Sequence, residues 1–339
     1  MLRVPIRASA LSPLCSARLS ARLLSGAPKK VDTALVKELR VRTSAPMKKC
    51  VEALQASGGA DVEAAIAWLR KAGVASASKK ASRDANEGAV VLTQRDDALA
   101  LVEVNSETDF VSRNDVFQSL ARAVAESSLE LSVPRGSAPA DEASMLAHLS
   151  PDAISATILH GSSNETVSEA VGVAISQLGE NIRVRRASTL SLPRRGALCG
   201  YVHNTYAPGL GRTAAAVALL SPTADVEGMR ALGSMIAMHV VAASPLALRR
   251  EEVDKSEIER EIGILTEQAE ASGKAPAVVQ KMVQGRLNKF YQEKALLEQT
   301  YVVDDKAGSI QKVLDAAAKS LGGDITLAGY IRYQVGEEA

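Results

Sequence analysis

One order of segments constrains this chain more than any other: strand, turn, strand, break, helix, met twice. In the first pass, Gly88 to Thr93 (GAVVLT) and Ala98 to Val104 (ALALVEV) flank the turn Gln94-Arg95-Asp96-Asp97. Phe117, Leu120, Ala121 and Val124 then fall at helical spacing, in a helix expected to run to about Glu130. In the second pass, Ala197 to His203 and Thr213 to Leu220 flank a glycine-bearing turn, Asn204 to Gly211. A break at Ser221 to Asp225 leads into an apolar helix, Met229 to Ala243. Short apolar runs bounded by turn residues read as hairpin strands. A hairpin that leads into a helix is the unit of an α+β fold, with helices covering small antiparallel sheets. Two related α+β subdomains are expected, 88–190 and 191–339.

The rest of the chain frames these units. Leu35, Val36 and Leu39 sit at helical spacing, and Ser44 with Pro46 marks a new helix start. Met47 to Ala56 is a second helix, stopped by Gly58-Gly59, and Asp61 caps a third that ends at Gly73. This three-helix unit, 31–74, resembles a ubiquitin-associated module. The polar stretch 75–87 (ASASKKASRDANE) reads as a solvated linker. Thr166 to Gln177 reads as a helix, whereas Met145 to Leu149 and Ile154 to Leu159 are short and poorly defined. Two further helical runs within about 254–298, split at Gly273-Lys274, read as an antiparallel hairpin inserted in the second subdomain. Thr326 to Val335 (TLAGYIRYQV) is a closing strand.

The first thirty residues carry Arg3, Arg7, Arg18, Arg22, Lys29 and Lys30, interspersed serines and no acid. That is the composition of an organelle transit peptide, with cleavage expected near 23–31 and the mitochondrial matrix as destination. Without those six basic residues the chain has 34 basic against 39 acidic, a net charge near −5. A slightly acidic body with few aromatics is a poor nucleic-acid binder. No apolar run reaches the roughly 18 residues of a membrane span. Cys15, Cys50 and Cys199 lack the close spacing of a metal or redox pair.

No phosphate-cradling P-loop, dinucleotide fingerprint, H-E-x-x-H or nucleophile elbow is present, and the four histidines are scattered. These readings point away from an enzyme, a cofactor and a metal centre. Attention falls on Val104 to Asn114 (VNSETDFVSRN), where strand pattern becomes helix pattern. Two S-x-x-D capping patterns compete there, from Ser106 and from Ser112. With the earlier start, Phe110 shares a helix face with Phe117 and is core; with the later one, Thr108 to Val111 is a protruding loop.

Thr108-Asp109-Phe110-Val111-Ser112-Arg113-Asn114 resembles the T-D-F-V-A-[KR]-N signature of the translation elongation factor Ts family. Four more segments follow in family order: Val36-Lys37-Glu38-Leu39-Arg40 with Thr43; Gly179-Glu180-Asn181-Ile182 with Val184, Arg185 and Arg186; Ile236-Ala237-Met238-His239-Val240; and Lys281-Met282-Val283 with Gly285, Arg286 and Phe290. Departures are Ser112 for the usual Ala, Lys48-Lys49 for Met-Asp, Gln284 for Glu, and Ser44 with Pro46 in place of a glycine-rich turn.

The resemblance implies guanine-nucleotide exchange on elongation factor Tu, GDP-bound or nucleotide-free, with no chemistry on a covalent bond. It implies that Thr108, Asp109, Phe110, Val111, Arg113 and Asn114 meet the partner beside its nucleotide and Mg²⁺. It implies that Val36, Leu39, Arg40, Thr43 and Met47 dock on the partner's G domain, and that His203, Met238 and His239 face another domain. A lone histidine on an apolar helix, such as His239, is alternatively a satisfied core residue. A non-exchange adaptor acting through the three-helix module is the competing function.

Overall fold

The computed structural model describes residues 31–43, 45–133, 139–270 and 276–337. The expected transit segment 1–30, Ser44 and the break at Gly273-Lys274 lie outside the described residues.

Three helices come first among the described residues: α1 (Thr33–Thr43), α2 (Met47–Ala56) and α3 (Val62–Lys80). They enclose a small core of Val36, Leu39, Cys50, Leu54, Ala65 and Leu69. Asp61 caps α3 as its position suggests, accepting from the Ala64 N–H at 2.9 Å. The expected stop at Gly73 is not a stop. A Cβ there would sit 2.9 Å from the Gly172 carbonyl oxygen, so Gly73 is where α3 lies backbone to backbone against a later helix, α7 (Val167–Leu178). The first half of the supposed solvated linker is therefore helical. Ala77 packs on a second core that includes Val102, Phe117 and Ile175, and Lys80 Nζ donates to the Ile175 carbonyl at 3.2 Å.

Next come β1 (Glu87–Gln94), β2 (Ala98–Ser106), the one-turn helix α4 (Asp109–Ser112) and α5 (Asp115–Ser132). Then follow β3 (Leu146–Leu149), α6 (Pro151–Ala156), α7 and β4 (Ile182–Ser191). The second pass comprises β5 (Gly196–Ala207), β6 (Leu210–Leu220) and α8 (Val226–Ala243). After it come α9 (Lys255–Glu270), α10 (Pro276–Lys294), α11 (Ile310–Leu321) and β7 (Thr326–Gln334). The architecture is α+β, with the expected hairpins β1–β2 and β5–β6 and the helical pair α9–α10.

Two separate sheets were expected, but the strands join into one curled antiparallel sheet, ordered β3-β4-β2-β1-β6-β5, with β7 also on β6. The join is narrow. β6 gives Thr213–Leu220 to β7 and meets β1 only at Leu210 and Gly211. Because the seam is two residues wide, the two halves of the sheet fold face to face. Alternation along the strands then sorts side chains into layers. Val90, Leu99, Leu101, Ala214, Ala216 and Ile331 point between the halves. Ala89, Val91, Val102 and Val104 point the other way, onto α5 and α7. Ala215, Val217 and Leu219 point outward onto α8 and α11.

Two elements are absent from the sequence reading. α11 spans a stretch left unassigned. β4, IRVRRASTLS, carries three arginines within its first five residues, which obscures the alternation. The nine-pair ladder with β2 forms because those guanidiniums have internal partners. Arg183 donates to the Ala85 carbonyl at 3.2 Å, Arg185 to the Glu337 carbonyl at 2.6 Å, and Arg186 to the Glu103 carboxylate at 2.7 Å. Among the described residues, no helix is long and apolar enough to cross a membrane.

Glu103 is fully buried in β2. Besides Arg186 it accepts from the Gly336 N–H at 2.9 Å and Asn105 Nδ2 at 3.0 Å, so one carboxylate ties β2, β4 and the end of β7 together. Removing one partner of a buried ion pair leaves the other uncompensated, at a cost of roughly 3–5 kcal/mol. Glu103→Ala is expected to lose about 3 kcal/mol of unfolding free energy, measured by urea denaturation against wild type.

Candidate functional site

The polar end of β2 is also where the exposed turn begins. Asn105 and Ser106 are buried, and Ser106 Oγ donates to the Thr108 carbonyl at 2.9 Å, which bends the chain outward. Neither of the two competing helix starts is used. Thr108 is the N-cap residue of α4, and Asn114 is that of α5, its Oδ1 accepting from the Val116 N–H at 2.9 Å. Ser112 instead closes α4, its Oγ donating to the Asp109 carbonyl at 2.6 Å. This buried hydroxyl, in place of the family's alanine, thus adds a hydrogen bond to the turn.

The break between α4 and α5 removes Phe110 from the face it would share with Phe117. Phe117 is fully buried, whereas Phe110 is 80% exposed. Its neighbour Val111 is buried in the same core as Phe117, so Val111 is an anchor of the turn and not a surface contact. Asp109 and Arg113 are exposed. The Arg113 guanidinium lies 5.1 Å above the ring of Tyr206, from the tip of the β5–β6 hairpin.

Thr108 does not spend its side chain on capping α4. Its Oγ1–H donates to Glu180 Oε1 at 2.7 Å, and its N–H donates to Glu180 Oε2 at 2.9 Å. The exchange is reciprocal. Glu107 Oε1 accepts from the Asn181 N–H at 2.6 Å and from Arg83 at 3.3 Å. The Asn181 N–H, more than Arg83, holds the Glu107 carboxyl below the usual carboxylate range. Gly179, at φ +83°, ends α7 in the left-handed conformation and turns the chain so that Glu180 and Asn181 face the exposed turn. Asn181 Nδ2 in turn donates to the Arg83 carbonyl at 2.8 Å. Two carboxylates from segments some seventy residues apart thus hold a single aromatic residue in solvent. Sequence reading singled out Gly179-Glu180-Asn181-Ile182 but gave Glu180 no role, since nothing local ties it to Thr108.

Residues 107–337 match the family described as Elongation factor TS. The chain is 44% identical to the Elongation factor Ts of Rhodospirillum rubrum over 307 residues, covering 91% of this chain and 93% of that protein. It is 43% identical to the Elongation factor Ts of Paramagnetospirillum magneticum, with coverage of 91% and 92%, and 41% identical to that of Bartonella henselae, with coverage of 91% and 93%. The chain belongs to the elongation factor Ts family.

In this member of the elongation factor Ts family, the remaining expected contact residues divide between surface and core. In the N-terminal module, Arg40 and Met47 are exposed, and Val41, which sequence reading passed over, is 83% exposed beside them. Val36 and Leu39 are not available to a partner, because they form the module's own core. Thr43 faces inward too. Its Oγ1 donates to the Leu39 carbonyl at 2.6 Å, and its carbonyl accepts from Gln177 of α7.

On the second half, His203 and Met238 line one shallow groove with Tyr201 and Thr213, and Tyr201 OH lies 3.2 Å from His203 Nδ1. His239 is not part of that surface. It is fully buried, and the Val302 N–H donates to its Nδ1 at 3.2 Å. Nε2 therefore carries the proton and donates to Gln299 Oε1 at 3.0 Å. Helical geometry explains the division: on α8 adjacent residues point about 100° apart, so Met238 outside places His239 inside.

Burial pulls the His239 pKa below its ordinary value, with the Gln299 contact opposing it. The folded pKa is thus below the unfolded one, about 6.5. Below that pH the unfolded chain takes up a proton that the fold resists, so stability is fullest above it and declines as pH falls. Unfolding free energy is expected to drop between pH 7.5 and 5.5, and His239→Gln to flatten that drop, as followed by urea titrations at each pH.

Proposed function

We propose that this chain is the guanine-nucleotide exchange factor of mitochondrial elongation factor Tu, binding the GDP-bound and nucleotide-free forms and speeding GDP release. The observation that carries this reading is Phe110, a large aromatic residue 80% exposed on a turn braced from two sides. Such a residue is costly to leave in water and suits a wedge. Burying it in a partner is worth about 1.5–3 kcal/mol, the scale of an allosteric coupling of about 1–3 kcal/mol, or 5–150-fold in affinity.

The mechanism follows from linkage. Much of a nucleotide's hold on a GTPase runs through Mg²⁺ bridging phosphate oxygens to the protein. Phe110 would wedge between helices of the G domain, and Asp109, exposed at the start of the same turn, would disturb the region that holds Mg²⁺. A factor that prefers the opened state weakens nucleotide binding by the same factor by which nucleotide weakens its own. No covalent bond changes, so this activity asks for no catalytic group, cofactor or metal in the chain itself. Arg40, Val41 and Met47 would meet the G domain, and the groove at His203 and Met238 another domain. The acid-free, arginine-bearing first thirty residues support import into mitochondria.

Asp109→Ala combined with Phe110→Ala is expected to fold normally and to reduce stimulated GDP release by about 10- to 100-fold, measured by loss of a fluorescent GDP from mitochondrial elongation factor Tu. An unchanged release rate would overturn the reading. For localisation, the mature protein isolated from mitochondria is expected to begin between about Leu23 and Val31. An intact Met1 there would contradict import with cleavage.

A further inference from the structure

We infer that Glu180 is a positioning residue for exchange: it sets the orientation of Phe110 through Thr108, without itself meeting the partner. This rests on the exchange reading above and assigns a role to a side chain that reading does not use. Thr108 immediately precedes α4, so its backbone conformation (φ −128°, ψ 158°) sets the direction in which the one-turn helix leaves β2. An N-cap threonine ordinarily turns its oxygen onto its own helix. Here both the N–H and Oγ1–H of Thr108 point away from α4, onto the two oxygens of one carboxylate, at 2.9 and 2.7 Å. Hydrogen bonds to an ionised acceptor are the stronger kind, and two from one residue fix direction as well as distance.

Glu180 is itself held. It follows the left-handed Gly179 at the end of α7, and it precedes Asn181, whose N–H and Nδ2 are bound to Glu107 and to the Arg83 carbonyl. α7 is docked along α3, so the brace behind Phe110 runs back into the helical module. Phe110 is 80% exposed and so gains little orientation from packing, while Val111 and Ser112, the other fixed points of α4, lie on its inner side. With Glu180 removed, the turn keeps its anchor but loses its direction, and Phe110 spreads over orientations that do not open the partner.

A merely structural or merely adhesive role would change different quantities. The test is stimulated GDP release from elongation factor Tu over a range of factor concentrations, giving a maximal rate and a half-saturating concentration. For Glu180→Ala the maximal rate is expected to fall about tenfold, while the half-saturating concentration stays within about threefold and the thermal midpoint is retained. Thr108→Val is expected to act in the same direction, and Thr108→Ser to restore the wild-type rate because it keeps the hydroxyl donor. The double variant Glu180→Ala/Thr108→Val is expected to be no slower than Glu180→Ala alone, since both remove one interaction.

An unchanged maximal rate in Glu180→Ala would overturn the inference. So would a raised half-saturating concentration alone, which would make Glu180 a surface contact, or multiplicative effects in the double variant. Phe110→Ala, assayed alongside, separates the two levels. If it releases GDP at the wild-type rate, the exchange mechanism fails; if it is slow and Glu180→Ala is not, only the positioning role fails.

Discussion

The burial of β2 is the constraint on which the rest of the structure depends. All nine of its residues, Ala98 to Ser106, are inaccessible to solvent, with one face on the helices and the other on the second half of the sheet. Its first six residues are apolar or small except for Glu103, and burial there follows from the hydrophobic effect. Its last residues are polar, and a buried polar group is tolerated only with partners. Glu103 recruits Arg186 and Gly336, Asn105 recruits the Glu87 carbonyl, and Ser106 donates to the Thr108 carbonyl as the chain turns outward. The exposed turn at Phe110 is therefore the direct continuation of a strand buried along its whole length.

That continuity explains how a solvated aromatic residue can be held still. Phe110 is mostly exposed, so its position derives chiefly from the groups on either side. Glu107 and Glu180 exchange hydrogen bonds across two chain segments, and Val111 plugs the inner side of the turn. Lys80, Arg83 and Gly73 extend the brace into the N-terminal helices, which dock along α7 instead of hanging on a flexible tether. The exposed residues of the module, Arg40, Val41 and Met47, and the Phe110 turn thus belong to one continuous packed body. Two surfaces on one packed body lose less freedom on association with a common partner than two joined by a flexible chain.

Much of the architecture was legible in the sequence. The hairpins at Gly88 and Ala197, the helix at Met229, the Asp61 cap and the closing strand at Thr326 each rest on local periodicity and capping, and each is present. Each misreading has a physical cause. Gly73 signals a helix stop locally, but it meets Gly172 across a helix–helix contact where only a missing Cβ fits. The arginines of β4 obscure its alternation, but backbone carbonyls and Glu103 serve as their partners. Ser106 and Ser112 both fit a capping pattern, but their hydroxyls are taken by other backbone carbonyls. At Gly73 and along β4 a partner distant in sequence overrides the local preference, whereas the two serines bond carbonyls two and three residues away.

The same division runs through the functional residues. Local pattern and the family resemblance singled out Thr108-Asp109-Phe110, and grouped His203, Met238 and His239 as an expected second contact region. Pattern alone left Phe110 undecided between core and surface, because both readings satisfy the same helical spacing from Phe117. Only the tertiary structure decides it, since α4 ends at Ser112 and α5 restarts at Asn114, and the face relation is lost. It likewise moves Val36, Leu39, Val111 and His239 into the interior, and it brings Glu180 to Thr108. Sequence determines which side chains are apolar, charged or able to cap; which of them meets solvent depends on what packs against the other side of each element.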